Sequence, residues 1–245
     1  MTCDIRFDSS SDALSPGVFV TFEGGEGAGK STHIAILADA LRASGREVAC
    51  LREPGGTRIG EQLRSVVLDP ANAEVADMCE LFIYEAARAQ LVREKIAPAL
   101  ARGVVVLCDR FCDSTLAYQA YGRGLGADCV RRANELACQG VVPDRTVVLE
   151  APSAASGLAR AARVAQADRL ERAGEAFHAR VNEAFRAIAA AEPDRVRSVA
   201  SRDSIPATAC GVFAALEDLF PELSRDAMLR AARTAEAACA TGGDR

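Results

Sequence analysis

A glycine-rich loop between a predicted strand and a predicted helix constrains the fold of this chain more than any other feature. The apolar run 18–23 leads into the loop Gly24-Gly25-Glu26-Gly27-Ala28-Gly29-Lys30-Ser31-Thr32. Apolar residues then recur at helical spacing from Ile34 to Leu41. A G-x-x-x-x-G-K-S pattern in this strand–loop–helix context is typical of a loop that binds phosphate groups.

The chemistry of this loop follows from its residue types. Glycines let backbone N–H groups turn inward around an anion, because no Cβ atom blocks the necessary φ and ψ angles. The helix that follows contributes the positive end of its dipole. In this pattern Lys30 reaches the terminal phosphates and the Ser31 hydroxyl holds Mg²⁺. We therefore expect residues 24–32 to bind a nucleoside triphosphate; the alternative is a glycine-rich turn that binds nothing.

Charge, cysteine content and hydropathy favour a cytoplasmic enzyme. The net charge is −5 and there is no lysine- or arginine-rich block, which argues against a protein that tracks along nucleic acid. Nine cysteines without C-x-x-C spacing are typical of reduced thiols, not of disulfides or a zinc site. No apolar run approaches the length of a membrane span, and the acidic N-terminal segment is not typical of a signal peptide.

Strands and helices alternate along the rest of the chain, which predicts an α/β fold with a parallel sheet flanked by helices in three layers. Besides the first strand, the sequence predicts strands over residues 47–51, 104–108, 146–149 and 195–199. It predicts helices from Lys30 to about Gly45, around Ile59 to Val67, and over 74–101. Parallel sheets bind ligands beyond the carboxyl ends of their strands. The pairs Arg52-Glu53 and Asp109-Arg110 fall on that edge.

Three motifs together closely resemble those of bacterial thymidylate kinases. They are Phe22 to Thr32, Arg52-Glu53-Pro54-Gly55-Gly56-Thr57, and Asp109-Arg110-Phe111-Cys112-Asp113-Ser114-Thr115-Leu116-Ala117-Tyr118-Gln119. Many families share the first motif, whereas all three in this order and at these separations are specific. The resemblance extends over residues 17–220. It implies a P-loop NTPase fold, transfer of the γ-phosphoryl group of ATP to dTMP with Mg²⁺, and a homodimer.

The resemblance also implies roles at the sugar, phosphate and metal sites. Glu26 would contact the sugar 3′-hydroxyl group. Glu53 and Asp109 would lie at Mg²⁺ and the acceptor phosphate. Arg64 and Arg110 would bind the dTMP phosphate. The alternative for Asp109-Arg110 is a structural ion pair at the end of a strand.

The base site is implied in the same way. Thymine would stack on Tyr84, where the family frequently has phenylalanine, and Arg88 would bond the base edge from one helical turn further on. Thr115 and Gln119 would complete the contacts to thymine. Without the resemblance, Tyr84 and Arg88 would be ordinary helix packing and a solvated charge.

Phosphoryl transfer to a monophosphate needs cations more than a general base, because the attacking phosphate oxygen is already anionic. Lys30, Arg110 and Mg²⁺ would supply charge, and His33 and His178 are expected to be packed or solvated on helices. Some thymidylate kinases carry a further arginine in the phosphate loop, where this chain has Gly27.

That missing arginine is expected in a mobile lid at residues 155–172, which resembles the bacterial lid. We rank its candidates Arg163 first, Arg169 second and Arg160 third. Asp168 or Glu171 could instead hold Arg169 in place. Without the resemblance, these arginines would be ordinary surface charges on a helix.

The remaining expectations concern the termini and the rival functions. Residues 1–16 are expected to be disordered. The alanine-rich extension 221–245 predicts a short, loosely held helix without a function. A kinase for another nucleoside monophosphate and a non-catalytic nucleotide-binding protein are the alternatives. A GTPase switch would normally carry an Asn-Lys-x-Asp motif, which this chain lacks.

Overall fold

The computed structural model describes residues 17–151 and 168–241, and a five-stranded parallel sheet lies at its centre. The strands are β1 (Val18–Glu23), β2 (Val48–Arg52), β3 (Val105–Asp109), β4 (Arg145–Glu150) and β5 (Val196–Ala200). Their order across the sheet is β2-β3-β1-β4-β5. The prediction of a parallel five-stranded α/β fold is confirmed, and each strand lies within one residue of its predicted bounds.

Helices connect the strands and cover both faces of the sheet. The α-helices of the described residues are α1 (Lys30–Ala43), α2 (Arg58–Leu68), α3 (Asp77–Leu91), α4 (Ala97–Ala101), α5 (Cys112–Thr115), α6 (Ala127–Cys138), α7 (Glu175–Ala191), α8 (Ile205–Leu216) and α9 (Arg225–Thr241). The predicted helix over 74–101 is α3 and α4, joined by a π-helical turn at Val92–Ile96. A second π-helical segment, Leu116–Gly122, continues α5. Such π segments occur frequently at functional sites.

Alternating side chains of β1 contribute to the core on both sides of the sheet, as expected for a strand with a period of two. Val20 and Phe22 pack in one apolar cluster with the buried face of α1, whereas Phe19 packs in another with Val106 of β3. Both faces of the central strands are therefore covered, which gives the three layers that the sequence predicts.

Strand register aligns the ends of β1, β2 and β3 beside the glycine-rich loop. Phe22 of β1 and Arg52 of β2 are both paired with Asp109 at the end of β3. The Glu53 N–H donates to the Asp109 carbonyl at 2.9 Å. The carboxyl edge of the sheet thus brings the three sequence motifs together.

The C-terminal helix α9 differs from its prediction. It runs for 17 residues, and Met228 and Ala232 are fully buried in the same apolar cluster as α1 and α8. The expectation of a short, loosely held tail is wrong for 225–241, because the small alanine side chains allow close packing that composition alone does not reveal.

Some of the predicted features lie outside the described residues. These are the predicted disorder of 1–16 and most of the predicted lid, including Arg160 and Arg163. Within residues 17–151 and 168–241, none of the helices is long and apolar enough to cross a membrane.

Candidate active site

The glycine-rich loop leaves β1 and enters α1 in a conformation that requires glycine. Gly24 has a φ angle of 123°, and a Cβ atom there would lie 2.2 Å from the Leu149 carbonyl oxygen. Gly29, directly before α1, has a φ angle of 94°. Both values fall in the region that other residues rarely adopt. The backbone therefore forms the cradle that the sequence predicts.

Lys30 is the cation of this loop. Its side chain is buried, and Nζ donates to the carbonyl oxygens of Gly24 at 3.2 Å and Gly25 at 2.9 Å. Burial, together with repulsion from the neighbouring Arg110, lowers the pKa of Lys30. The loop thus holds a desolvated ammonium group, which interacts with phosphate more strongly than an exposed one.

Oxygen atoms suited to a divalent cation lie beside the loop. The Ser31 hydroxyl donates to Asp109 Oδ2 at 2.8 Å, which joins the start of α1 to the end of β3. Glu53 is buried, and its Oε1 has no hydrogen-bond partner among the described residues. A hydroxyl and a carboxylate suit Mg²⁺, which binds through one or two carboxylates together with substrate phosphates and water. The residues present therefore fit the predicted metal.

Arg110 is held at the centre of the site by its backbone and its side chain. Its φ angle of 68° is unusual for a residue other than glycine, and its N–H donates to the Phe22 carbonyl. Its guanidinium contacts Glu26 Oε1 at 2.6 Å and the Gly24 carbonyl at 3.2 Å. It also lies 5.1 Å from the ring centre of Tyr118. Unusual backbone conformations of this kind cluster at functional sites.

Glu26 is ionised in this arrangement. Its Oε1 accepts hydrogen bonds from Arg110 and, at 2.8 Å, from the Tyr118 hydroxyl. Although burial opposes ionisation, the Arg110 and Lys30 cations lower the pKa of Glu26 to about 2. The sequence assigned no role to Tyr118, although it lies inside the third motif.

Glu23 was also missed, and it holds the segment that carries Arg110. Its fully buried Oε1 accepts the N–H groups of Phe111 at 2.7 Å and Ser114 at 3.3 Å. Its Oε2 lies 2.6 Å from the Ser114 hydroxyl, whose oxygen also accepts from Arg110 at 3.3 Å. Burial, aided by the nearby Asp113 charge, raises the pKa of Glu23 to about 8.

This pKa predicts how stability depends on pH. Since the ordinary pKa is 4.5, folded protein between pH 4.5 and 8 retains a proton on Glu23 that unfolded protein has lost. The contribution of Glu23 to stability is therefore complete below pH 4.5 and decreases as pH rises toward 8, by at most about 1.4 kcal/mol per pH unit. In Glu23→Gln, which cannot titrate, this decrease should be absent.

Urea unfolding of both proteins at pH 5, 6, 7 and 8 measures the effect. The free energy of unfolding of Glu23→Gln minus that of wild type should rise with pH, whereas a constant difference would contradict the raised pKa. Glu217→Gln, at an exposed glutamate, serves as the control and should show no such trend.

Arg88 forms a buried ion-pair network. It is 1% exposed, and its Nε and Nη2 contact Glu53 Oε2 at 2.9 and 2.7 Å. Its Nη1 contacts Glu85 at 2.9 Å, Thr115 at 3.1 Å and Asn134 at 2.6 Å. Although burial has the opposite effect, the two carboxylates raise the pKa of Arg88. Every guanidinium nitrogen thus has an acceptor within the protein.

The other predicted substrate residues lie around this network. Tyr84 is buried one turn before Arg88 on α3. Gln119 is buried and donates to Glu80 at 2.7 Å. Arg64 is partly buried and donates to the Pro54 carbonyl at 2.9 Å. The structure therefore brings the predicted base residues together between α3 and the helical segment that begins at Cys112.

Glu80 provides the partner of Arg169. This fully buried carboxylate accepts from Gln119, Arg123 and Arg169. The Arg169 Nε also donates to the Val67 carbonyl at 2.9 Å. Asp168 and Glu171 were the predicted partners of Arg169, but these two carboxylates accept backbone N–H groups instead.

A signal for Glu80 is present in the sequence. Glu80, Tyr84 and Arg88 are four residues apart, so they lie along one face of α3. A charged residue in line with two predicted site residues could have been selected on spacing alone.

Comparisons with known proteins agree with these features. A model of the thymidylate kinase family matches residues 22–209. A thymidylate kinase of Geobacter sulfurreducens is 46% identical over 211 residues, which cover 84% of this chain and 99% of that protein. One of Deinococcus radiodurans is 51% identical over 182 residues, covering 74% and 87%. The crystal structure of thymidylate kinase from Ehrlichia chaffeensis has a TM-score of 0.61 and 30% identity, and the match covers 77% of this chain and 90% of that one.

Proposed function

This chain belongs to the thymidylate kinase family, and we propose that it transfers the γ-phosphoryl group of ATP to dTMP through the residues described above. The observation that carries the proposal is the convergence of two cations, Lys30 and Arg110, with Glu26 and Tyr118 at the carboxyl edge of the sheet. Such a site can hold two polyanions together, which is the main requirement of phosphoryl transfer.

In the proposed reaction, the phosphate loop and Lys30 bind the β- and γ-phosphates of ATP. Arg110 holds the dTMP phosphate so that one of its oxygens lies in line with the γ-phosphorus atom. Arg64 provides a second cation for the same phosphate. Because the attacking oxygen is already anionic, none of these residues needs to remove a proton.

We assign the divalent cation to the oxygens of Ser31, Asp109 and Glu53, with Mg²⁺ as the metal. When bound, it would neutralise charge on the donor phosphates. The hydrogen bond between Ser31 and Asp109 holds two of these groups 2.8 Å apart.

We assign the nucleoside of dTMP to a second group of residues near Arg110. Glu26, which is ionised, would accept a hydrogen bond from the sugar 3′-hydroxyl, and Tyr84 would stack on thymine. Arg88, Thr115 and Gln119 would contact the base edge. Because Arg88 Nη2 carries two N–H groups, it could donate to the base and still keep its contact with Glu53.

We also propose a cytoplasmic homodimer that associates through α2 and α3. Val66 of α2 and Met78 and Phe82 of α3 are exposed large apolar side chains, and Phe82 is 61% exposed. Exposed apolar side chains on packed helices are typical of protein interfaces when they form a patch.

A coupled ADP-release assay across monophosphates tests the acceptor. With ATP and Mg²⁺, dTMP should give the highest kcat/KM, ahead of dUMP, dCMP and dGMP. Preference for another monophosphate would favour a kinase for that nucleotide. ATP binding without ADP release for any acceptor would favour a non-catalytic protein.

A separate prediction concerns the arginine missing from the phosphate loop. Arg163→Ala should lower kcat by at least about a hundredfold with a smaller change in the KM for dTMP, because a lid arginine acts mainly in the transition state. Arg169→Ala should instead reduce thermal stability, since this side chain is bonded to Glu80 and the Val67 carbonyl.

Steady-state kinetics of Arg163→Ala and thermal melting of Arg169→Ala measure these effects, with the exposed Arg131→Ala as control in both experiments. A normal kcat for Arg163→Ala would show that the transition-state charge is stabilised by another residue.

A further inference from the structure

The C-terminal helix α9 lies beyond the matched part of the chain and yet is part of the core. The family match ends at residue 209, whereas α9 covers 225–241. Met228 and Ala232 are fully buried, and α9 packs directly on α1 and α8. Helix α9 therefore supports α1, the helix that begins at Lys30.

One polar side chain of α9 contacts the start of α8. Glu236 Oε1 accepts the backbone N–H of Ile205, the first residue of α8, at 3.2 Å. The first N–H groups of a helix have no partner inside the helix, and a carboxylate there also interacts favourably with the helix dipole. Ser204 accepts a different N–H, that of Ala207 at 3.3 Å. Glu236 and Ser204 thus cap α8 together.

The segment that this cap holds touches the phosphate loop. Residues 201–204 connect β5 to α8, and the Ser201 hydroxyl donates to the Ala28 carbonyl at 2.9 Å. The Ser201 N–H donates to the Glu150 carbonyl at 2.8 Å, and the Arg202 N–H donates to Thr208 Oγ1 at 2.8 Å. A short series of hydrogen bonds therefore links α9 to the loop that holds the phosphates.

The sheet order indicates which substrate this segment serves. Arg64 donates to the carbonyl of Pro54 after β2, and Arg110 follows β3, both on one side of β1, whereas Ser201 follows β5 on the other side. In phosphoryl transfer, the attacking oxygen and the leaving group lie on opposite sides of the transferred group. Because Arg64 and Arg110, the residues proposed for the dTMP phosphate, lie on the side of β2 and β3, residues 201–204 lie on the side of the leaving nucleotide, which is the donor.

We infer that Glu236 is a positioning residue for the phosphate donor. By fixing the start of α8, it keeps residues 201–204 against the phosphate loop and so increases affinity for ATP, while dTMP binding is unaffected. This inference rests on the proposed ATP-dependent reaction, and it assigns a role to a helix that lies outside the family match.

The test compares Glu236→Ala, Glu236→Gln and wild type in the full-length chain. Calorimetric titration with MgATP, without dTMP, should show a Kd about three- to tenfold higher for Glu236→Ala, which is the range expected for loss of one hydrogen bond. Glu236→Gln should retain most of the affinity, because its amide oxygen still accepts the Ile205 N–H. The KM for dTMP should change less than twofold in both.

Glu217→Ala removes an exposed glutamate of the segment between α8 and α9 and is the matched control. An unchanged Kd for MgATP in Glu236→Ala would overturn the inference, whether or not the melting temperature falls. Equal losses for MgATP and dTMP would also overturn it, because they would indicate a general structural role.

Failure of the proposed function gives a different result. A wild-type protein that binds MgATP but forms no dTDP would overturn the reaction. The ATP-binding comparison would still decide the role of Glu236, since no acceptor is present in that titration.

Discussion

Lys30→Ala is expected to lower kcat by about 10²- to 10³-fold, the usual cost of removing one preorganised electrostatic contact to a transition state. The Lys30 ammonium is buried against the Gly24 and Gly25 carbonyls, so water would replace it poorly. The fold should be retained, because this side chain bonds only to its own loop among the described contacts.

Lys95→Ala provides a closely matched control. Lys95 is the other lysine of the chain, and its side chain is 49% exposed on the π-helical turn after α3. Steady-state kinetics and circular dichroism melting of both variants complete the comparison. A folded Lys30→Ala protein with near-normal kcat would contradict the kinase assignment.

Arg88→Ala is expected to lower the free energy of unfolding by about 3–5 kcal/mol, the usual effect of breaking a buried ion pair. Its removal would leave the Glu53 and Glu85 carboxylates buried without their cation. Urea unfolding at neutral pH measures the loss. Arg131→Ala, which removes an exposed ion pair with Asp128, should change stability by less than about 0.5 kcal/mol.

The same variant tests the base site, because the two roles of Arg88 have different readouts. In the folded protein below its melting temperature, dTMP binding should weaken by about 1.5–3 kcal/mol, as for a charge-assisted hydrogen bond. Destabilisation with unchanged dTMP affinity would show that Arg88 serves the ion-pair network alone.

Local sequence signals were sufficient for the fold and for the phosphate loop. The run from Val105 to Cys108 is continuously apolar because β3 is buried on both faces, and the glycines of the loop are required by its backbone angles. The order of the three motifs also placed Glu53 and Asp109 on one edge, since parallel strands end together.

Contacts between distant segments were not visible in the same way. The sequence predicts Glu23 as the last residue of a strand, which is correct, but it does not reveal that Glu23 accepts hydrogen bonds from Phe111 and Ser114. Glu236 lies in an alanine-rich segment for which the sequence predicts no role, and its contact with the Ile205 N–H could not be predicted from that segment alone. Local patterns report the element in which a residue lies, whereas these partners depend on how elements pack against each other.

Arg88 shows the same limit of local patterns for a residue that was predicted to belong to the site. Its position one helical turn after Tyr84 on α3 agrees with the prediction from spacing. One of the two carboxylates that surround it, however, is Glu53, which lies in the turn after β2 and not on α3. A sequence motif can therefore identify a site residue without revealing that the residue also stabilises the fold.

Direct detection of dTDP tests the central claim most directly, because ADP release alone could come from hydrolysis of ATP. Phosphorus NMR of a reaction containing ATP, dTMP and Mg²⁺ should show dTDP and ADP forming in equal amounts with wild-type protein. Lys30→Ala should form very little of either product in the same time. Consumption of ATP to give inorganic phosphate without dTDP, or no consumption of ATP, would contradict the assignment of this chain as a dTMP kinase.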